Sequence, residues 1–476
     1  MCNLKNFYFG YADAETEYEQ SPELFDKAFI DPNENLDELL HGIKSIVIGR
    51  KGTGKTAYSA KIRRCAENNP DSYVAKSCML SGMEYSIFDE YCETEVFDGR
   101  RYASAWKFLI LVEVVKMILD KCKSIENEYF LLLVEQMQKA DILSEDGITY
   151  TVTSLKSSEI SAKLSIFQAN CKSEFTSKIR TISAINDYII KVLKTLHFNQ
   201  QRWYLLLDGL DDALRGKHFT SEITAGLVRT IAELNSSFRS STYDLKLILF
   251  IRSDILNECF DPDLTKLKRD YSVSLSWNKN QLEEIVLNRV NQDKNLYRSF
   301  EEFWSAFFPT EFRYKDSVTA IFEYTLLRPR DILQFLIECQ KNSNSNRKLF
   351  SFLELNEICA RYSEEYFLPE MRDELAGFYD DDIISQLPTV LSRMGNAKFS
   401  AETFSETIKE ISAFNKVDAH KLLEYLFMGG YLGQIKKTSR DAKKSFVAFK
   451  HINTQQRYDP NNECLIHRGL RKALNI

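Results

Sequence analysis

Gly49-Arg50-Lys51-Gly52-Thr53-Gly54-Lys55-Thr56 follows the β-branched run Ser45-Ile46-Val47-Ile48 and opens into Ala57-Tyr58-Ser59-Ala60-Lys61-Ile62, a stretch suited to a helix. Strand, glycine-rich turn, Lys-Thr and helix is the setting in which such a pattern cradles phosphate. Gly49, Gly52 and Gly54 let the backbone curl so that successive N–H groups point inward at an anion, and the helix N-terminus adds partial positive charge. Lys55 can reach the outer phosphates of a nucleotide, and the Thr56 hydroxyl can ligate Mg²⁺. The whole loop, with Arg50, Lys51 and Thr53 between those residues, is the expected nucleotide-binding segment; ATP and Mg²⁺ are its expected ligands.

A second signal lies at Trp203-Tyr204-Leu205-Leu206-Leu207-Asp208-Gly209-Leu210-Asp211-Asp212. An apolar run ending in an acid reads as a buried parallel strand whose tip delivers a carboxylate beside the loop. Asp208 then supports the metal together with Thr56, and Asp211 or Asp212 polarises the attacking water, with no sequence reason to prefer one. Ser72 to Leu80 reads as another strand. A further strand, Leu245 to Ile251, ends in Arg252-Ser253-Asp254, where Ser253 or Asp254 also suits a plain helix cap. Lys266, Lys268 and Arg269 precede a strand at Tyr271 to Leu275 and read by themselves as a solvated charge cluster. Helices are expected at Gln281 to Val290 and at Phe322 to Cys339. The latter is interrupted by Arg328-Pro329-Arg330-Asp331, with Pro329 suited to a first helical turn. Residues 85–200 show mainly helical periodicity and no readable chemistry.

The chain has 476 residues, 44% hydrophobic and 27% charged, the profile of a soluble globular protein. Its 17 Gly and 9 Pro favour long helices with few tight turns, and ten scattered cysteines without a C-x-x-C pair suggest reduced thiols. The N-terminus lacks the pattern of an export signal, and Trp106 to Leu119 is too short and too charged, through Lys107, Glu113 and Lys116, to span a bilayer. A cytoplasmic protein is expected. Charge is uneven: residues 395–476 hold fourteen Lys and Arg against eight Asp and Glu, a net +6, so the other 394 residues carry −12 of the total −6. Only the C-terminal tip is suited to meet a polyanion.

The order of these elements resembles the STAND and AAA+ branch of P-loop ATPases. Leu205-Leu206-Leu207-Asp208-Gly209-Leu210-Asp211-Asp212 is similar to the Walker B strand of NACHT-type members, where Asp-Gly-Leu-Asp-Glu is usual; Asp212 stands at the final acid. The resemblance implies a γ-phosphate sensor at Arg252, an arginine finger at Arg269 acting across a subunit interface, and a second sensor at Arg330 in a helical lid, with Arg328 less well placed. It also implies that Phe7-Tyr8-Phe9-Gly10 folds over an adenine, although a capping strand and helix fit that segment equally well. Arg328-Pro329-Arg330-Asp331, Phe250-Ile251-Arg252-Ser253-Asp254 and the closing Leu465-Ile466-His467-Arg468-Gly469-Leu470 look like a group of bacterial ATPases found among antiphage defence systems.

The C-terminal piece matches a winged helix-turn-helix. Helices are expected at Ser400 to Ile411 and Asp418 to Met428, Gly429-Gly430 ends the second, and Tyr431 to Ile435 and Phe446 to Phe449 make the wing strands. Between those strands lie Lys436, Lys437, Arg440, Lys443 and Lys444. The expected fold class is an α/β P-loop NTPase core, a parallel sheet with an extra strand between the Walker A and Walker B strands. To it are added a helical insertion (about 85–200), a helical lid and a C-terminal winged helix. The expected domains are residues 1–275, 276–394 and 395–476. The expected function is an ATP-hydrolysing switch or motor in a bacterial antiphage or regulatory complex, with a homo-oligomer or a separate effector protein as partner. A DNA-binding loader of origin-recognition or transposition type, touching nucleic acid through the basic wing, is one alternative. A nucleotide-dependent scaffold is the other.

Overall fold

Continuous apolar runs bounded by polar turns make the strands of the core, because strands covered on both faces need no polar alternation. The computed structural model describes residues 3–80, 102–122, 124–140, 142–143, 182–198, 200–210, 221–239, 241–259, 262–292, 296–343, 349–438 and 441–476. Contacts divide the chain into two compact units, one of Asp31–Arg50 and Lys55–Leu275, the other of Met1–Ile30, Lys51–Gly54 and Ser276–Ile476.

The first unit is built on five strands: β1 (Ile46–Gly49), β2 (Tyr73–Met79), β3 (Arg202–Asp208), β4 (Asp244–Arg252) and β5 (Ser272–Leu275). They pair in parallel in the order β2-β3-β4-β1-β5. β4 therefore lies between the loop strand β1 and the acid-bearing strand β3, which is the extra strand expected from the sequence. Leu205, Leu206 and Leu207 on β3 and Leu247 to Ile251 on β4 are fully buried. The register sets Gly49 beside Arg252 and Leu207 beside Leu249. The C-terminal tips of β1, β3 and β4 thus finish on one edge, where open parallel sheets bind ligands.

The described part of the insertion supplies helices Ala103–Lys121, Glu128–Lys139 and Ile182–Leu193. The first is buried nearly all round and is fastened by Trp106 Nε1, which donates to the Ile223 carbonyl (2.9 Å), and by Asn186 Nδ2, which donates to the Ser104 carbonyl (2.9 Å). No described helix is long and apolar enough to cross a membrane.

In the second unit, Phe7 and Phe9 are core residues. Phe9 is 1% exposed, Phe7 meets Phe303 and Phe307 edge-on at 5.8 and 5.7 Å, and Gln340 Nε2 donates to the carbonyls of Leu4 and Phe7. The segment forms no strand, so the capping strand is not what is built; both phenylalanine rings are taken up in the core of this unit. Gly10 turns the chain at φ +86°, and Glu17 in the following helix Ala14–Gln20 takes Arg289 bidentately at 2.8 and 3.1 Å. Helix Lys279–Val290 starts with a reciprocal Asn278/Gln281 cap, and helix Pro329–Asn342 starts on Pro329. A short hairpin, β6 (Glu311–Phe312) and β7 (Lys315–Asp316), lies between them.

The C-terminal part runs helix Asp381–Arg393, β8 (Lys398–Phe399), helix Ala401–Lys409, helix Ala419–Gly429, β9 (Leu432–Thr438), β10 (Asp441–Ala448) and β11 (Glu463–Ile466). Helix, strand, two helices and an antiparallel hairpin form a winged helix. Ser400 and Asp418 cap the two helices, and Gly430 ends the second in the left-handed conformation at φ +82°. Two features differ from expectation. β11 joins the sheet between β9 and β8, giving the order β10-β9-β11-β8, although its four residues leave little periodic trace in the sequence. The wing strands also extend through the lysine-rich stretch, so Lys436 and Lys437 lie on β9, and 443 and 444 fall within β10. The ladder is irregular there: pairing passes from Asp441–Thr438 to Ser445–Lys437, so the register shifts across residues 442–444.

Candidate functional site

Within the sheet unit, β1 ends at Gly49 and the helix Lys55–Asn68 begins on the loop lysine. Lys55 is buried, and its Nζ donates to the carbonyls of Gly49 and Arg50, both at 3.3 Å. Thr56 Oγ1 donates to Asp208 Oδ2 (3.1 Å), and the Gly209 N–H donates to Asp208 Oδ1 (2.8 Å). Hydroxyl and carboxylate are hard oxygen donors held side by side at the tip of β3, a pair that suits Mg²⁺. Asp211 and Asp212 lie outside the described residues, as does the choice of base between them.

Arg252, at the tip of β4, is buried and grips Asp254 through Nε (to Oδ1, 3.0 Å) and Nη2 (to Oδ2). Burial alone would raise the Asp254 pKa. The Arg252 charge and hydrogen bonds, a backbone hydrogen bond and the Lys55 charge outweigh it and hold the carboxyl below its ordinary range. The helix Ser253–Asn257 has no side-chain cap, so the capping alternative at Ser253 or Asp254 is not what forms. Arg269 sits in the last turn of helix Pro262–Tyr271 just before β5, 85% exposed, with Asp270 Oδ1 at 3.5 Å.

The other unit contains the loop residues Lys51–Gly54, which run without a break into Lys55. Gly52 (φ +78°) and Gly54 (φ +98°) occupy the left-handed region that favours glycine. A Cβ on Gly52 would lie 3.3 Å from the Arg330 Cβ and 3.5 Å from the Arg328 Nε, a tight but not forbidden fit, so it is the backbone conformation that calls for glycine. Trp277 Nε1 donates to the Thr53 carbonyl (2.9 Å), Arg328 Nη1 to the Lys51 carbonyl (3.0 Å), and the Arg330 N–H faces the Gly52 carbonyl at 3.5 Å.

The two arginines of Arg328-Pro329-Arg330 have different surroundings. Arg328 is 1% exposed. Its Nε donates to both Asp331 oxygens at 3.0 Å, and its Nη1 to Glu374 Oε1 at 2.8 Å. Burial disfavours its charge, but the Asp331 and Glu374 carboxylates more than compensate and raise its pKa further. Asp331 also accepts from Tyr366 Oη (2.7 Å) and the Leu326 N–H (2.8 Å). Arg330 keeps 27% of its side chain exposed, with Nη1 3.7 Å from Glu370 Oε1. Lys51 Nζ lies 3.4 Å from that same oxygen and 3.1 Å from Asp373 Oδ2. Glu370, Asp373 and Glu374 were not read from the sequence. The only local signal is their spacing, which puts three carboxylates on one face of the helix Leu368–Leu375.

A family model described as the FunZ-associated C-terminal helical domain matches residues 280–367. Among curated proteins, the "Putative transposon gamma-delta 80.3 kDa protein" of Escherichia coli (strain K12) is 21% identical over 487 residues, covering 97% of this chain. The chain spans about two thirds (66%) of that relative's length. Among solved structures, the Aeropyrum pernix ORC2 protein in ADPNP–ADP complexes is similar at 12% identity and TM-score 0.43, with 95% of each chain covered. The Aeropyrum pernix ORC1 protein in complex with DNA is 12% identical at TM-score 0.37, covering 96% of this chain and 95% of its own. Cdc6p from Pyrobaculum aerophilum is 12% identical at TM-score 0.33, covering 95% and 96%. The strand order and the loop of this chain themselves give its core the α/β P-loop NTPase fold.

Proposed function

We propose that the chain binds ATP with Mg²⁺, hydrolyses it to ADP and phosphate, and passes its nucleotide state to DNA held by the winged helix. The observation that carries the reading is the Thr56–Asp208 hydrogen bond at 3.1 Å, one residue from the buried loop lysine. An isolated glycine-rich turn has no reason to bring a second strand's carboxylate to that hydroxyl. Lys55 and the loop N–H groups hold the phosphates, and Thr56 with Asp208 would hold Mg²⁺, which when bound neutralises charge on the phosphate oxygens. Arg330, next to Gly52 and partly exposed, would supply positive charge to a phosphate on the loop, and Arg328 would position the helix that carries it. Arg252, oriented by Asp254, reports the terminal phosphate from the tip of β4. An acid beyond Asp208, Asp211 or Asp212, orients the attacking water.

On this reading residues 276–394 act as the lid and 395–476 as the nucleic-acid module. Arg269, exposed beside β5, serves a neighbouring copy in a homo-oligomer. A chain that sediments as a monomer at every concentration with ATP present would remove that last role. The defence role rests on resemblance alone, and no observation favours it or a separate effector. The transposon named for the Escherichia coli relative favours the loader.

The wing supplies the test of the DNA arm. Lys436 Nζ already donates to the Arg457 carbonyl (2.6 Å) and lies 6.0 Å from the Phe427 ring centre, so less committed lysines serve the test better. Lys437 and Lys421 are exposed. Charge reversal of both, Lys437→Glu with Lys421→Glu, should weaken binding to duplexes of any sequence. It should also flatten the log–log salt dependence by about 0.9 for each phosphate no longer neutralised. Fluorescence anisotropy at two salt concentrations measures this. Duplex binding identical to that of the unmodified chain would remove the wing from the interface, and no binding even at low salt would remove the DNA arm.

A further inference from the structure

Two cations of the phosphate-binding region share one anionic partner. Glu370 places Oε1 3.4 Å from Lys51 Nζ and 3.7 Å from Arg330 Nη1. Its side chain is 12% exposed, and Oε2 is buried with no hydrogen-bond partner among the described residues. Its neighbours on the same helix face are held differently. Glu374 is locked to Arg328 at 2.8 Å in a fully buried network, and Asp373 reaches Lys51 from the solvent side with 54% of its side chain exposed. Glu370 therefore carries a poorly solvated charge with one oxygen unmatched, against two cations at distances longer than good hydrogen bonds. A carboxylate between a loop lysine and a lid arginine offers the same charge, to the same groups, as a terminal phosphate oxygen.

We propose that Glu370 is a built-in competitor for the terminal phosphate of ATP. It neutralises Lys51 and Arg330 until a triphosphate displaces it; a diphosphate, lacking the terminal group, leaves it in place. The inference rests on the nucleotide-binding reading given above. Displacement has a structural route onward. Glu370 lies in the first turn after a π-helical segment, Tyr362–Phe367, within the continuous helical run from Phe352 to Leu375. Such segments carry an inserted residue and recur at functional positions. Here the segment ties Tyr366 Oη to Asp331 and Ser363 Oγ to the Gly469 carbonyl (2.6 Å). Gly469 belongs to the His467-Arg468-Gly469 segment that follows β11, and a Cβ there would lie 2.6 Å from the Tyr324 carbonyl and 2.8 Å from the Phe367 ring. Movement of Glu370 therefore loads the segment on which the end of the winged-helix sheet is seated.

The test is calorimetric titration of the full chain, Glu370→Gln and Glu370→Ala with ATP and, separately, with ADP. Removing one carboxylate charge from a partly screened phosphate site should tighten ATP about tenfold in both variants. ADP affinity should change less than about twofold. Equal tightening of ATP and ADP would overturn the proposal, since Glu370 would then not discriminate the terminal phosphate. Unchanged ATP affinity in both variants overturns it as well, while leaving nucleotide binding intact. If none of the three chains binds either nucleotide, the nucleotide reading falls, and the competitor with it. Glutamine keeps the shape of the side chain, and thermal melts of both variants matching the unmodified chain confirm that the affinities compare folded proteins.

Discussion

Lys55→Ala should lower ATP turnover at least ~100-fold, and Asp208→Ala should do so by a separable route; this is the scale of losing one electrostatic stabiliser of a transition state. Lys55 is a buried point charge at the start of the loop helix, already hydrogen-bonded to two loop carbonyls. Its loss should weaken nucleotide binding with or without Mg²⁺, and also relax the loop that it now braces. Asp208 touches Thr56 and the Gly209 N–H. Its loss should leave metal-free nucleotide binding nearly unchanged and remove the gain that Mg²⁺ brings. Phosphate release, read beside nucleotide affinity with and without Mg²⁺, distinguishes the two. Turnover in both variants equal to that of the unmodified chain would remove these residues from the chemistry.

The second large effect is on stability. Arg328→Ala should destabilise the chain by about 3–5 kcal/mol, the usual cost of leaving a buried partner charge uncompensated. Asp331 and Glu374 would both lose their guanidinium, and neither is solvated where it lies. Arg330→Ala, only two residues away, should stay within about 0.5 kcal/mol of the unmodified chain, as substitutions outside buried networks usually do. It should lower turnover instead. Urea unfolding midpoints measured beside ATPase rates separate the two arginines. Comparable stability losses at 328 and 330 would contradict the division of labour read from their burial.

The local grammar of the sequence made the sheet legible. Apolar runs ended by Gly49, Asp208 and Arg252 became β1, β3 and β4, with β4 in the position expected of the extra strand. Proline at 329 and the caps at Ser400 and Asp418 started helices as their chemistry requires. What escaped was tertiary. Nothing local tells that Phe7 and Phe9 pack against Phe303 rather than a ligand, because aromatic-glycine segments serve either use. β11 escaped because a four-residue strand in mid-sheet, with burial alternating only at Cys464 and Ile466, leaves almost no periodic trace. The Glu370–Lys51–Arg330 cluster escaped because its members are far apart in sequence and meet only through the fold. Within Arg328-Pro329-Arg330, the resemblance put Arg330 ahead of Arg328 as a sensor; what the fold adds is that Arg328 is enclosed by carboxylates while Arg330 stays partly exposed.

The most direct measurement of the central claim is calorimetric titration of the full chain with ATP, in the presence and absence of Mg²⁺. The account predicts saturable binding at one site per chain, tightened by Mg²⁺ and lost in Lys55→Ala. An unmodified chain that is folded, binds no ATP under either condition, and yields the same flat titration as Lys55→Ala would contradict it.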